Sequence, residues 1–254
     1  MEILGYAAAV AIGITLGLMG GGGSILTVPV LVYLFGESAS KATGDSLFIV
    51  GATAAIGAVL MARRGLVDTS AALRFALPAF LTVWLTRHFL LPAIPERFGM
   101  ISRDTALLVL FAALMLATAV SMLRKRKEAS QDEKAGSLTL PALVVGVVTG
   151  LVGAGGGFLI VPALAAKLPI KRAVGTSLAI IAANSLFGFF SDAKSRSEAS
   201  WGFLLTLTAL AAVGMGIGGL LSRRIPGEKL RPTFGIFLLL MGTYMVAREI
   251  FRPF

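Results

Sequence analysis

Residues 17–29 read GLMGGGGSILTVP, and residues 150–162 read GLVGAGGGFLIVP. The two stretches agree at eight of thirteen positions, and each lies inside a long apolar run. Glycine costs about 1 kcal/mol relative to alanine in a helix interior, so four in succession stop a helix. Residues 2–35 carry no basic residue, and as a single helix they would extend about 50 Å, well beyond one membrane crossing. The chain is therefore predicted to break at Gly20–Gly23 and again at Gly153–Gly157.

A second matched pair, KATGDSL (41–47) and RAVGTSL (172–178), follows each glycine stretch at nearly the same distance. Such internal repeats mark many transporter folds. The chain reads as a duplication, with one repeat over 1–127, a charged linker at 128–136 and a second repeat over 137–254. Of the 254 residues 56% are hydrophobic and 14% charged, with a mean hydropathy of +0.87. That composition describes an all-α polytopic membrane protein and excludes a soluble domain with one core. Blocks at 42–62, 75–94, 105–123, 173–190, 201–221 and 233–247 are each long enough to cross the bilayer, which predicts six spanning helices.

The net charge of +10 resides mostly in short connections such as ARR (62–64), RKRK (124–127) and SRR (222–224). Membrane topology and anionic headgroups account for it, so lipid is the expected partner and nucleic acid is not. The absence of cysteine removes thiol chemistry and thiolate metal sites. The only early charge is Glu2 and the first basic residue is Lys41, so the first apolar stretch is expected to be retained and not cleaved as a signal peptide.

Each glycine stretch is either a broken helix that still crosses, giving parallel repeats, or a re-entrant hairpin, giving inverted repeats with three crossings each. The positive-inside rule separates them. With hairpins, one side collects 14 Lys and Arg, from Arg63 and Arg64 through the linker to Arg223, Arg224, Lys229 and Arg231, against 7 on the other. Four crossings per half give 11 and 10, which orients nothing. Two inverted repeats are therefore expected, with both termini outside and the linker in the cytoplasm.

A helix that restarts after a glycine break offers unbonded N–H groups to an anion, and irregular backbone at membrane depth is tolerated only in protein or beside a watered cavity. The restarts are predicted near Ser24 and Gly157, with the helices running to Pro29 and Pro162. Close helix packing is the plainer use of glycine and suits the scattered glycines of VGMGIGGLL (213–221). No GxxxxGK[ST] loop is present, so a soluble nucleotide site is not expected.

The pattern GLxGxGGGxLxVP followed by AxGTSL, repeated across the chain, resembles the TauE/SafE family of sulfite and organosulfonate transporters. The resemblance implies a secondary transporter of a small sulfur-containing anion, without a cofactor. By position it implies substrate contacts at Gly20, Gly22, Gly23 and Ser24 on one tip, and at Gly153, Gly155, Gly156 and Gly157 on the other. Thr43 and Ser46 match Val174 and Ser177, and Thr176 stands beside them. Asn184, the only asparagine, is aligned with Thr53; so deep an amide either bonds a neighbouring helix or faces substrate.

The halves differ where charge appears. Asp45 stands opposite Thr176, and Arg87 and His88 stand opposite Gly218 and Gly219. Intramembrane ionisable groups are costly and mark function by default. Asp45 and Arg87 are expected to pair or to share a cavity. Arg87 either binds the anion as a bidentate fork or snorkels outward, and Asp45 or His88 is a candidate for a coupling proton. His88 points about 100° from Arg87, so one binds and the other packs. One histidine, no cysteine and no paired carboxylates within a span argue against an enzyme. The expectation is an inner-membrane carrier working by alternating access, with an anion channel as the rival.

Overall fold

The computed structural model of the chain describes residues 2–98, 101–123, 138–153, 155–165, 167–192, 199–222 and 227–250. The linker expected at 128–136 lies outside the described residues. Helix α1 (Glu2–Met19) ends where the sequence predicts, at Gly20. Gly20 takes a left-handed φ of 71° and its N–H bonds the Leu16 carbonyl. In the second half, α6 (Thr139–Val152) ends the same way at Gly153, with φ 73° and its N–H on the Thr149 carbonyl. Only glycine adopts that conformation without steric cost.

The restarts differ in detail from expectation. The first is a 3-10 turn, Gly22–Leu26, that leads into α2 (Thr27–Leu34), and Ser24 lies inside that turn and does not cap it. The second, α7 (Gly157–Ala165), begins at Gly157 as expected. Neither helix stops at its proline. Pro29 falls in the first turn of α2, where its missing N–H has no helical partner to lose, and Pro162 sits within α7.

Helix α2 returns along α1. Gly5 meets the ring of Phe35, and Gly23 packs against Ile12, Thr15 and Leu16. Residues 5 and 35 therefore end on one side, and the segment is a hairpin, not a helix that continues forward.

The remaining helices are α3 (Ala39–Ala62), α4 (Thr69–Leu85), α5 (Arg103–Leu123), α8 (Ile170–Ser191), α9 (Trp201–Leu221) and α10 (Gly227–Ile250). Ser38 caps α3 by accepting from the Lys41 N–H, and Asp68 caps α4 by accepting from the Ala71 N–H at 2.9 Å. Helix α4 continues through a π turn, Thr86–Leu90, and a last turn, Leu91–Ala93. A two-residue antiparallel ladder, β1 (Arg97–Phe98) with β2 (Ile101–Ser102), leads into α5. Among the described residues, five helices are long and apolar enough to cross a membrane: α3, α4 with its continuation, α5, α8 and α9. The sixth expected crossing, 233–247, lies within α10, whose ends carry Glu228, Lys229, Arg231, Arg248 and Glu249.

Close approaches at glycines give the directions of the helices. Gly51 faces Leu186, Gly57 faces Leu178 and Gly188 faces Leu47, so α3 and α8 run antiparallel through the centre. Gly235 faces Met122 and Gly242 faces Leu116, so α5 and α10 are antiparallel as well. Helix α1 runs parallel to α9, with Gly13 on Ala211 and Gly17 on Met215, and α6 runs parallel to α4, with Gly146 on Ala79 and Gly150 on Thr86. Of the glycines in 213–221, Gly214 and Gly218 pack on the α1 backbone as expected, while Gly216 and Gly219 face open space.

The outer surface is apolar. Leu73, Leu77 and Leu81 form an exposed stripe on α4, and Val213, Ile217 and Leu220 do the same on α9. Apolar faces of this extent require hydrocarbon around them. The chain is a multi-pass membrane protein.

Candidate functional site

The two glycine breaks meet. A methyl group on Gly21 would stand 2.9 Å from the Gly157 Cα, and one on Gly157 would stand 2.6 Å from the Gly21 carbonyl oxygen. Ile181, halfway along α8, packs on both. Each tip is held by the opposite half. Ser177 Oγ donates to the Gly20 carbonyl and Ser46 Oγ to the Gly153 carbonyl, both at 2.6 Å. The same hydroxyls also approach carbonyls of their own helices, Val174 at 2.8 Å and Thr43 at 3.0 Å.

These contacts define what the predicted residues can do. Ser24 Oγ donates to the Gly21 carbonyl at 2.7 Å and Thr43 Oγ1 to the Ser40 carbonyl at 2.8 Å. The hydroxyl protons of Ser24, Thr43, Ser46 and Ser177 are thus directed at carbonyls, and in this conformation only their lone pairs remain. Thr176 Oγ1 accepts from the Asp68 N–H at 2.9 Å, which ties α8 to the start of α4. Gly22 and Gly23 open the 3-10 turn, and Gly155 and Gly156 take left-handed φ values of 66° and 64°. Among the described residues, no backbone carbonyl accepts from the N–H of Gly21 or Gly156.

A set of buried polar groups near the tips has no partner. Asn184 is fully buried, yet neither its oxygen nor its nitrogen is bonded, and the same holds for the hydroxyls of Thr27, Thr53, Thr149 and Ser185. Ser185 Oγ stands 3.0 Å from where a Gly155 Cβ would be, and Thr149 Oγ1 lies against Gly156. Buried donors and acceptors left open cost about 1–3 kcal/mol each. Sequence reasoning found Asn184 with Thr53 and missed Ser185, Thr149 and Thr27. Adjacency was the available signal, since Thr149 directly precedes GLVGAGGG and Ser185 follows Asn184. Asn184→Leu is expected to raise the melting temperature, as read by thermal unfolding, because it removes a buried amide without partners.

On the side where α3 begins, a cavity of about 590 Å³ opens, lined by Lys41, Asp45, Arg87, Arg103, Asp104 and Asp192 among others. The π turn turns Arg87 inward to 4% exposure, so it does not snorkel; π turns recur at functional sites. Arg87 Nη1 donates to Asp192 Oδ2 at 3.0 Å, and Nη2 donates to the Thr43 carbonyl at 3.1 Å. That carbonyl is also what Gly153 presses against, so the guanidinium sits one contact from a glycine tip.

The expected pairing of Asp45 with Arg87 is replaced by two separate pairs. Arg87 takes Asp192, and Asp45 accepts from Lys41 Nζ at 2.8 Å, although Asp45 and Arg87 do share the cavity. His88, one residue on, is exposed and stacks on Trp84 at 5.3 Å, away from the lining. Asp192 escaped sequence reasoning because it lies just beyond α8, 105 positions from its partner.

Residues 5–245 match the family described as Sulfite exporter TauE/SafE. The chain belongs to that family. A probable membrane transporter protein of Xylella fastidiosa is 32% identical to it over 250 residues, covering 94% of this chain and 92% of that protein. One of Methanocaldococcus jannaschii is 26% identical over 253 residues, covering 92% and 91%. In Bacillus subtilis, the probable membrane transporter protein YunE is 36% identical over 112 residues, covering 43% of this chain and 41% of its own length. Membership of the TauE/SafE family over nearly the whole length makes the protein a membrane transporter, and the matched stretch includes both glycine tips and the cavity residues.

Proposed function

We propose that the protein is a secondary transporter that moves a small sulfur-containing anion, sulfite or an organosulfonate such as sulfoacetate, across the inner membrane by alternating access coupled to protons. The observation that carries this reading is the buried Arg87 at the base of a polar cavity, one contact from a glycine tip. An arriving sulfonate presents the oxygen geometry that a guanidinium binds bidentately, and it takes the place of the Asp192 carboxylate on Arg87. The unpartnered Asn184, Ser185 and Thr149, with the glycine N–H groups, then supply donors deeper in the path.

The antiparallel arrangement of α3 with α8 and of α5 with α10 supports reading the halves as inverted repeats, each a re-entrant hairpin followed by three crossings. In this reading the close backbone approach of Gly21 and Gly157 is the barrier that an anion entering from the cavity meets. A path closed at its centre while open on one side favours a carrier over the rival anion channel.

A thermal-shift panel of sulfite, sulfoacetate, taurine, thiosulfate and sulfate on purified protein tests the substrate class. An anion at a hundred times its Kd stabilises by about 2.7 kcal/mol, which is visible as a shift. No shift with any of the five, on protein that unfolds cooperatively, sinks the reading. Orientation has its own test, since the chain has no cysteine. Gln131→Cys is expected to react with an impermeant maleimide only from the cytoplasmic side, and labelling from the periplasm overturns the topology.

A further inference from the structure

Helix α2 ends through Gly36, whose φ of 74° reverses the chain, and the Glu37 N–H reaches back to the Leu31 carbonyl. This left-handed turn fixes Glu37 beside Lys41, a residue of the cavity lining, four positions before it and eight before Asp45. Lys41 Nζ bridges both carboxylates, bonding Glu37 Oε1 and Asp45 Oδ2. One ammonium therefore serves two acids, and the second oxygen of Glu37, Oε2, is buried without a partner. Lys41 and Asp45 line the same cavity as Arg87. By the repeat offset, the counterparts of Glu37, Lys41 and Asp45 are Leu168, Arg172 and Thr176, so the triad exists in one half only.

We propose that Glu37 binds the proton that is carried with the anion, and that its protonation admits the anion to Arg87. The inference rests on the transporter reading above and assigns its coupling site. With Glu37 ionised the triad holds two negative charges against one positive. With Glu37 protonated it is neutral. The extra negative charge is bonded to Lys41, which lines the cavity an anion must enter, and burial strengthens its repulsion relative to bulk water.

Other charged groups line the same cavity or stand on the helices around it. Arg87 of α4 is bonded to Asp192 beyond α8, and Asp104 of α5 accepts from the Ser40 N–H and hydroxyl. Arg103 and Glu96 line the same cavity, and Arg248 of α10 stands over the Tyr33 ring. Burial raises the Glu37 carboxyl, the Lys41 hydrogen bond opposes it and the Asp45 charge adds to it, and together they push the group up to about 7. The group therefore changes charge near neutrality, protonated below that pH and ionised above it.

Infrared pH titration of the anion-free protein tests proton binding directly. The protonated-carboxyl band assigned to Glu37, present in wild type and missing in Glu37→Gln, is expected to vanish as pH rises through about 7. Its absence at every pH from about 5 to 8 overturns the proposal whether or not an anion binds. Asp45→Asn removes a repelling charge and leaves Lys41 to Glu37 alone, so the band is expected to vanish at lower pH. Coupling is read with sulfoacetate, whose charge is constant across this range. Wild-type affinity is expected to fall up to about tenfold per pH unit above neutrality, as linkage to one proton requires, while Glu37→Gln retains the low-pH affinity throughout. Equal pH slopes in the two proteins overturn the coupling role. If the band behaves as expected but sulfoacetate binds at no pH, the substrate reading falls and the proton site stands.

Discussion

Arg87→Gln is expected to lower the affinity for sulfoacetate at least a hundredfold, whereas Asp192→Asn is expected to raise it about tenfold. The two changes remove opposite partners of one buried pair. Removing the cation breaks its ion pair with Asp192 and takes the fork from the anion. Breaking a buried pair costs about 3–5 kcal/mol, so the Arg87 variant also loses melting temperature. Removing the carboxylate instead takes one partner from the guanidinium, and the ligand no longer has to displace that carboxylate. A pair with only a structural role predicts a different result, with both variants destabilised and neither changed in affinity. Isothermal titration in detergent, with melting measured in parallel, separates the two; affinity within twofold of wild type for Arg87→Gln excludes it from the anion site.

Gly157→Ala is expected to abolish uptake in proteoliposomes, while Gly219→Ala leaves it intact and slightly stabilises the protein. Both changes add one methyl group to a helix. At Gly219 nothing lies within 4 Å, so the variant gains the roughly 1 kcal/mol by which alanine exceeds glycine in helices. At Gly157 the methyl meets the Gly21 carbonyl oxygen at 2.6 Å and the Ile181 side chain. Rotating a side chain relieves the second contact, but only parting the two backbones relieves the first. The tips are then wedged open, and the path cannot close behind its cargo. Uptake close to wild type in Gly157→Ala, in protein that reconstitutes normally, would remove the tips from the transport path.

Much of the architecture is legible in the amino-acid sequence because its causes are local. Four glycines in an apolar run stop a helix wherever the chain goes, and five of six expected crossings follow from block length alone. The breaks therefore fall where predicted, at Gly20 and Gly153. What Ser24 does is not local. A serine ahead of an apolar run reads as a cap, but after Gly21 the chain tightens into a 3-10 turn and the hydroxyl folds back on it.

The charged residues show the same limit. Arg87 and Asp45 stand out because their repeat partners are Gly218 and Thr176, and both line the cavity. Their actual partners, Asp192 and Lys41, are placed by the ends of α8 and α3, and no spacing rule joins positions 87 and 192. The inward aim of Arg87 and the outward aim of His88 depend on the π turn, which leaves no mark in hydropathy. Nothing in the sequence singles out Glu37. Its environment arises only when Gly36 turns it toward Lys41 and Asp45.

The crossed serine bonds at the two tips bear on biogenesis. The Gly20 carbonyl is satisfied by Ser177, a residue synthesised 157 positions later, and the Gly153 carbonyl by Ser46. When the first five helices have left the ribosome, their hairpin ends in a carbonyl that has no donor, and in hydrocarbon such an acceptor costs several kcal/mol. That hairpin is therefore expected to mature late and to wait near the aqueous boundary until α8 is inserted. Quality control would meet a half-made chain as an unfinished loop, and completion of the protein would coincide with withdrawal of that loop from water.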